Sequence, residues 1–370
     1  MENIEIVVTT MFGIEALAAK EIRNLGYETK SVEDGRITFY GDFNAVARAN
    51  MWLRTAERVF IKICEFKAET FDELFEKTKA VDFSKWIDKD AAFPVNGFTL
   101  RSKLFSVRDC QSIIKKGIVE SLKKSYNISW FSESRGTIKI EFSVIKDSVS
   151  IMIDTSGENL HKRGYRRMSN AAPLKETIAA AMVILSRFKY NGYFADPFCG
   201  SGTIPIEAAL IAKNIAPGIK RNFDFEKFSF MPRNLMKTAR EEAYDSKRDT
   251  NLKILASDID PMCVDLSIGN AKKAGVNDII LVKKMAVKDF SWDKEDGTMV
   301  CNPPYGERLL DIRESEKVLT ELGKSYKNLK NWKLFVLTPD EKLEKLIGRR
   351  ADKKRKLYNG MIKCNLYQYL

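Results

Sequence analysis

Histidine is nearly absent from this sequence, and cysteine occurs only as isolated residues. The 370 residues include one histidine, His161, and six scattered cysteines without a CxxC pair. These absences disfavour a zinc site, a Ser-His-Asp triad and a disulfide framework. No apolar run reaches membrane-spanning length, and the first residues lack a basic region followed by a hydrophobic one. The sequence therefore predicts a cytoplasmic protein that needs neither a metal nor a membrane.

Charge is positive and unevenly distributed. The net charge is +12 at pH 7, and residues 166–370 hold 37 Lys and Arg against 26 Asp and Glu, which accounts for +11 of it. Because Lys and Arg neutralise phosphates, this excess predicts a polyanionic partner. The cluster Lys162, Arg163 and Arg166 is a candidate for phosphate contact, with solvated surface charge as the alternative. His161, beside that cluster, is interpreted as a contact to phosphate or to a domain interface.

Hydrophobic periodicity divides the chain into two parts. Strands and helices first alternate in two small α+β units, and a polar, basic linker follows at residues 156–172. Residues 173–370 repeat strand and helix in turn, which is typical of a doubly wound parallel sheet in an α/β fold. A terminal hairpin is predicted around Asn359-Gly360, because Asn-Gly favours a two-residue turn.

A glycine-rich loop follows the first strand of the C-terminal part. The string DPFCGSGT at residues 196–203 opens a helix, at the place where open α/β sheets bind ligands. Glycine in such a loop lets the backbone approach a ligand closely. The next strand-terminal acid, Asp258, comes after an insertion at residues 214–251, much too late for an NAD fingerprint. We expect Asp258 to bind the ribose hydroxyls of another nucleoside cofactor and Asp289 to accept from its adenine amine, with a helix N-cap or a surface acid as the alternative interpretation of Asp289.

The string NPPYGER at residues 302–308 is the most specific signal in the sequence. Its two prolines fix φ and remove donors, so the carbonyl groups of the loop face outward as acceptors. If Asn302 and the Pro303 carbonyl accept from an exocyclic amine, its nitrogen can attack a sulfonium methyl, while Tyr305 stacks on the extracted base. Methylation at a pyrimidine carbon would require a cysteine where Tyr305 stands, which favours nitrogen as the acceptor. A proline-stiffened strand exit with a packing tyrosine is the alternative interpretation.

Together, DPFCGSGT, SDID and NPPYGERL resemble the bacterial family of THUMP-containing 23S rRNA guanine-N2 methyltransferases, over nearly the whole chain. The resemblance implies a ferredoxin-like unit at residues 1–60 and a THUMP RNA-binding domain at residues 61–155. It implies a Rossmann-like class I methyltransferase at residues 173–370, with a mostly parallel seven-stranded sheet that ends in a hairpin. The implied cofactor is S-adenosyl-L-methionine, and the implied partner is RNA, specifically 23S rRNA.

The two loops and this resemblance nominate three groups of site residues. The expected catalytic residues are Asn302, Pro303 and Tyr305. The expected cofactor-binding residues are Asp196, Cys199, Gly200, Gly202, Thr203, Asp258, Ile259, Asp289 and Asn302. The expected RNA contacts are Pro304, Arg308, Lys162, Arg163 and Arg166.

Other functions share some of these features. A tRNA guanine-N2 methyltransferase is the runner-up, since THUMP modules also occur in tRNA-modifying enzymes. DNA adenine-N6 and protein glutamine-N5 methyltransferases use NPPY-type loops, but neither needs the N-terminal α+β units as a module that holds RNA. An RNA-binding assembly factor without activity is disfavoured by the intact Asp196, Asp258 and Asn302.

Overall fold

The computed structural model describes residues 3–166, 174–305 and 312–370 of the chain. Its N-terminal part contains β1 (Ile4–Thr10), α1 (Glu15–Asn24), β2 (Thr29–Glu33), β3 (Arg36–Gly41), α2 (Phe43–Trp52), β4 (Ala56–Lys67), α3 (Phe71–Lys79), β5 (Val95–Leu100), α4 (Val107–Tyr126), β6 (Ile140–Ile145) and β7 (Ser148–Asp154). Its C-terminal part contains α5 (Glu176–Ser186), β8 (Tyr193–Asp196), α6 (Thr203–Ala212), α7 (Leu235–Asp245), β9 (Lys253–Asp258), α8 (Pro261–Ala274), β10 (Ile280–Lys284), β11 (Thr298–Cys301), α9 (Ile312–Lys327), β12 (Lys333–Thr338), α10 (Leu343–Ile347), β13 (Lys353–Asn359) and β14 (Ile362–Tyr369). Within these ranges, no helix is both long and apolar enough to cross a membrane.

One continuous sheet runs through both N-terminal units. Its strand order is β2-β3-β1-β4-β7-β6-β5, and buried residues of α1 to α4 form a single core with it. The long strand β4 pairs with β1 along its first half and with β7 along its second half. The boundary predicted at residue 60 therefore falls inside β4, and the two units share a strand. The sheet is strongly curved, because Arg36 of β3 donates to Ser143 of β6 at 2.9 Å across three intervening strands.

The described part of the linker, residues 156–166, is packed and hydrogen bonded. The buried Ser156 hydroxyl accepts from the Val59 amide at 2.9 Å and donates to the Asn50 side chain at 2.7 Å. Arg221, from the insertion, donates to two carbonyl groups of the linker, at residues 158 and 159. These contacts hold the two halves of the chain together.

The insertion at residues 214–251 packs against the N-terminal units. Its helix α7 lies on α2, where Arg48 makes three hydrogen bonds to the Glu242 carboxylate, at 2.8, 2.9 and 3.1 Å. The Phe230 ring lies between the rings of Phe43 and Trp86, at centroid distances of 6.0 and 5.2 Å. These partly buried aromatic rings supply a large stabilising contact area. The insertion therefore joins the C-terminal domain to the first sheet.

The second sheet has the predicted doubly wound architecture. Its order is β10-β9-β8-β11-β12-β14-β13, with β8 to β12 parallel and the last two strands antiparallel. The strand order reverses between β8 and β11, and such a switch point is where open α/β sheets bind ligands.

The terminal hairpin is present, with a turn one residue later than predicted. Asn359 pairs with Ile362, so Gly360 and Met361 form the turn. Gly360 has a φ of +63°, and glycine with positive φ at the first central position is typical of a type II′ turn.

Candidate active site

The glycine loop connects the end of β8 to the start of α6. Within it, the Cys199 amide donates to the Ser257 carbonyl at 2.9 Å, and the Gly200 amide donates to the Asp258 carboxylate at 2.9 Å. Both acceptors belong to β9, the neighbouring parallel strand. These bonds bring the glycine loop and the predicted ribose-binding acid to one edge of the sheet.

The two central glycines of the loop have different surroundings. Gly202 caps α6 with a φ of +83°, and a Cβ there would lie 2.5 Å from the Ser267 hydroxyl of α8. Gly202 therefore allows close packing between the loop and a helix. Gly200 has a φ of +50°, and a Cβ there would meet no described atom within 4 Å. Gly200 thus leaves space in which a ligand can approach the backbone.

Asp196 is a buried carboxyl group with a free oxygen. The residue is 1% exposed, its Oδ1 accepts from the Phe198 amide at 3.0 Å, and its Oδ2 has no partner among the described residues. Burial raises the pKa of Asp196 well above its usual range. A buried acceptor without a partner is costly, which indicates that a ligand donor or cation completes this site.

Asp258 keeps acceptor capacity for a ligand. Its two oxygens accept from the amides of Gly200 and Asp260, at 2.9 and 3.0 Å, and a carboxylate offers about four lone-pair positions. Burial raises the pKa of Asp258, and the two backbone hydrogen bonds oppose that rise. The next residue, Ile259, is exposed, and so is Asp289, in the short turn that follows the neighbouring strand β10. This edge of the sheet can therefore accept from ribose and border an adenine ring.

Cys199 and Thr203 support the loop from inside. Cys199 is buried, and burial followed by the charge of Asp196 raises the pKa of its thiol well above the usual range. A neutral buried thiol is a poor nucleophile, so Cys199 contributes to the packing of the loop. The buried Thr203 accepts at its hydroxyl from the Arg166 guanidinium, at 2.8 Å.

The NPPY loop leaves the carboxyl end of β11 beside the glycine loop's strand. Pro303 is buried, and the Pro304 carbonyl accepts from the Ser315 hydroxyl of α9 at 2.8 Å. The Tyr305 hydroxyl donates to the Asn302 side-chain oxygen, the acceptor that the sequence assigns to a substrate amine. The Tyr305 ring packs on the C-terminal core, and burial raises the pKa of its hydroxyl well above the usual range. In this state Tyr305 is a packing residue, as in the alternative interpretation, and the stacking predicted from the sequence would require the ring to move.

The terminal hairpin reaches this loop, which the sequence did not indicate. Asn359 donates to the Tyr305 hydroxyl at 3.4 Å, and the Cys364 thiol lies 3.7 Å from the same hydroxyl. No motif marks either residue, because their position depends on β14 pairing antiparallel with β12.

The basic cluster is divided between the surface and the interior. Lys162 is exposed and pairs with Glu158 at 3.1 Å. Arg163 is only 4% exposed and donates to carbonyl groups of Leu160 and Arg54, so the expectation that it contacts RNA is wrong. Its guanidinium stabilises the interior because the buried Glu207 lies 3.5 Å away.

Arg166 and the neighbouring His161 also have defined places. Arg166 is partly buried and pairs with the Glu176 carboxylate of α5 at 3.3 Å, in addition to its bond to Thr203. His161 lies 3.2 Å from the Glu57 carboxylate of β4, at the interface between the two halves. Arg308 lies outside the described residues.

A doubly wound sheet with a glycine loop, two following acids and an NPPY loop defines a class I methyltransferase fold. The family model of the RMKL-like methyltransferase domain matches residues 163–368, that of the RlmL ferredoxin-like domain residues 5–60, and that of the THUMP domain residues 68–154. The chain therefore belongs to the RMKL-like methyltransferase family and carries the two N-terminal domains that the resemblance implied.

Relatives and solved structures agree with this assignment. The chain is 47% identical to the "Putative RNA methyltransferase YpsC" of Bacillus subtilis, over 100% of this chain and 96% of that protein. It is 31% identical to the ribosomal RNA large subunit methyltransferase K/L of Syntrophotalea carbinolica, over 99% of this chain and 53% of that protein. The chain thus spans about half the length of this K/L relative. The solved structure "Crystal structure of SMU.472, a putative methyltransferase complexed with SAH" shares 41% sequence identity with this chain. The two structures superpose with a TM-score of 0.94, over 100% of this chain and 98% of that chain.

The expectation of S-adenosyl-L-methionine as cofactor is confirmed by the methyltransferase family and by the SAH bound to SMU.472. The residues present fit this molecule. Asp196 offers a free buried oxygen, Gly200 leaves open space and Asp258 keeps lone pairs for hydroxyl groups.

Replacing Asp196 with asparagine should weaken cofactor binding while stabilising the free protein. The variant removes a charge-assisted hydrogen bond to the cofactor, which is expected to cost about tenfold to a hundredfold in affinity. A buried carboxyl group with a raised pKa lowers the stability of the folded protein once pH exceeds the pKa of the same group in the unfolded chain. The uncharged amide of the asparagine variant removes that destabilisation. Calorimetric titration with S-adenosyl-L-methionine and urea unfolding of the free protein measure the two effects.

The pH dependence of cofactor binding provides a second readout. The affinity of the unchanged protein for S-adenosyl-L-methionine should fall as pH drops below the raised pKa of Asp196. Below that pKa the carboxyl group must first lose a proton before it can bind the positively charged cofactor. The asparagine variant should lack that dependence. Asp260→Asn is the matched control, because its side chain caps α8 and asparagine caps equally well. Equal affinity in Asp196→Asn and the unchanged protein would refute the assignment.

Proposed function

We propose that the protein transfers a methyl group from S-adenosyl-L-methionine to the exocyclic N2 of a guanine in 23S rRNA. The observation that carries the proposal is the NPPY loop at the carboxyl end of β11, adjacent in the sheet to the Asp196 strand. Its Asn302 oxygen is an acceptor for a planar amine, and the family of the chain is one of methyltransferases. The cofactor supplies an electrophilic methyl group on a sulfonium.

The chain's own residues then act on the guanine. The Asn302 side-chain oxygen and the Pro303 carbonyl accept from the two N–H groups of the amine, which favours the tetrahedral nitrogen needed for attack. The loop that carries these acceptors is rigid, since proline fixes the backbone at two consecutive positions. No strong base is required, because the proton can leave after the new N–C bond forms.

Substrate binding must also rearrange Tyr305. In the free protein, the Tyr305 hydroxyl donates a hydrogen bond to the Asn302 side-chain oxygen, and an incoming amine competes for that oxygen. When the amine displaces that hydroxyl, the ring becomes free to leave the core and stack on the base, as enzymes that extract a base from its stack require. The bond between Tyr305 and Asn302 thus keeps the acceptor satisfied until the substrate arrives.

RNA as the substrate is supported by the N-terminal half. A THUMP domain matches residues 68–154, and the names of YpsC and of the K/L relative specify RNA and large-subunit ribosomal RNA. The insertion holds this domain against the methyltransferase domain, because Asp224 accepts from Lys139 at 2.9 Å and the Phe230 ring contacts Trp86, so RNA bound to one domain can be presented to the other. A polyanionic partner also agrees with the net charge of +12.

Labelling with tritiated S-adenosyl-L-methionine tests this proposal. Total RNA from a strain that lacks the gene is incubated with the purified protein, and we expect label in 23S rRNA as N2-methylguanosine by mass spectrometry. RNA from the parent strain, already modified, should accept little label and is the control. Label in tRNA alone would replace the rRNA assignment, and N6-methyladenosine as product would contradict the guanine assignment.

A further inference from the structure

The β13–β14 hairpin extends beyond the edge of the sheet that carries the active site. Thr338, the last residue of β12, pairs with Asn365, while β14 begins three residues earlier at Ile362. At about 3.3 Å per residue, the hairpin therefore overhangs the carboxyl edge of β12 by about 10 Å. Its tip is directed to the side of the sheet on which the ligand-binding loops lie.

The tip of the hairpin touches the NPPY loop. Asn359, the last residue of β13, donates to the Tyr305 hydroxyl at 3.4 Å. Met361 lies two residues later, so its Cα is at most about 7.6 Å from that of Asn359. The tight turn at Gly360 holds Met361 at the apex, where its side chain is 98% exposed. An exposed methionine is common at a protein surface, and this one is distinguished by its place beside the catalytic loop.

The hairpin is also strongly basic. Residues 353–370 include five Lys and Arg and no Asp or Glu. Lys356, Tyr358 and Lys363 share one face, since Tyr358 pairs with Lys363 and Lys356 is two residues from Tyr358 on its strand. Both lysines are exposed, and neither forms an ion pair with a carboxylate within the described residues. Such a face complements a phosphate backbone.

An aromatic group from the N-terminal unit borders the same face. The exposed Phe12 ring meets Tyr358 edge to face at a centroid distance of 6.4 Å, and the Lys356 ammonium lies 5.3 Å from the Tyr358 ring. Aromatic rings interleaved with exposed lysines that lack a carboxylate partner among the described residues are typical of surfaces that bind nucleic acid.

We propose that the β13–β14 hairpin opens the RNA around the target: Met361 fills the stack position that the extracted guanine vacates, and Lys356 and Lys363 hold the flanking phosphates. This inference rests on the proposed function. Extraction of a base removes stacking interactions, and an apolar side chain that enters the gap restores part of them. A flexible, unbranched methionine at a rigid apex suits this role.

Substitution of Met361 separates this role from simple RNA binding. Met361→Ala should lower the single-turnover rate on 23S rRNA from a gene-deleted strain by about tenfold, with RNA and cofactor Kd close to those of the unchanged protein. Met361→Leu, which keeps an apolar side chain of similar volume, should restore most of the rate. A normal rate in Met361→Ala, an equal loss in Met361→Leu, or a loss explained by weaker RNA binding would each overturn the proposal.

Substitution of the two lysines should weaken RNA binding, in contrast to substitution of Met361, which should lower the rate. The double variant Lys356→Ala/Lys363→Ala should raise the Kd for the same 23S rRNA and reduce the slope of log Kd against log salt by about 1.4 to 1.8. Lys353→Ala, at the end of β13 away from the tip, is the matched control. An unchanged salt slope in the double variant would contradict the proposed phosphate contacts. If the unchanged protein labels no guanine N2 in 23S rRNA, both the proposed function and this inference are wrong. If Met361→Ala labels it at the normal rate, only the inference about the hairpin is wrong.

Discussion

Replacing Asn302 with alanine is expected to slow methyl transfer by about a thousandfold, with cofactor and RNA binding preserved. The magnitude is that of removing one preorganised hydrogen-bonding group from a transition state. In the proposed mechanism, the Asn302 side-chain oxygen accepts from the amine most strongly as the nitrogen becomes tetrahedral. The cofactor contacts on Asp196 and Asp258 do not depend on it, so the loss should fall on kcat. Single-turnover labelling, together with calorimetric titration of the cofactor, measures both quantities.

A matched pair of variants sharpens this test. Asn302→Asp keeps an acceptor at the same position and should retain more activity than Asn302→Ala, while a loss due only to the missing amide group would affect both variants equally. The alanine variant also leaves the Tyr305 hydroxyl without its acceptor, which should slightly destabilise the loop. Turnover of Asn302→Ala within tenfold of the unchanged protein would disprove the proposed mechanism.

The sequence predicted those parts of the site that follow from local pattern and parallel strand order. Asp196 and Asp258 end neighbouring parallel strands, and carboxyl ends of such strands meet at one edge, so their association could be inferred without coordinates. The same reasoning placed the NPPY loop after β11. The doubly wound C-terminal sheet and its terminal hairpin were predicted from the same patterns, the number of seven strands followed from the family resemblance, and both predictions are confirmed.

Contacts between distant segments could not be inferred in this way. Arg163 has the sequence context of a surface cation, and only the packing of the linker on α6 places it beside Glu207. The continuity of the first sheet depends on β4 pairing with two different strands. The inward orientation of Tyr305 depends on Cys364 and Asn359, more than 50 residues later. In each case, sequence pattern identifies the chemical group and tertiary packing decides what it contacts.

Replacing Arg163 with alanine breaks its buried ion pair with Glu207 and is expected to lower the free energy of unfolding by about 3–5 kcal/mol. Glu207 is 0% exposed, and burial raises its pKa although Arg163 and Arg54 oppose the rise. Without Arg163, this carboxylate would be left buried with weaker compensation, and carbonyl groups of Leu160 and Arg54 would lose a donor. Urea unfolding, followed by circular dichroism, measures the change in stability.

Lys162→Ala is the matched control, because Lys162 is the adjacent residue and its ion pair with Glu158 is exposed. A change within about 0.5 kcal/mol is expected there. The deficit of Arg163→Ala should narrow as pH falls toward the pKa of an unfolded glutamate, about 4.3, because a protonated Glu207 no longer needs a counterion. The double variant Arg163→Met/Glu207→Met should recover part of the stability, since replacing both members of a buried pair with apolar groups costs less than removing one. If Arg163→Ala instead unfolds normally and binds 23S rRNA weakly, Arg163 acts at the RNA surface and its buried role is wrong.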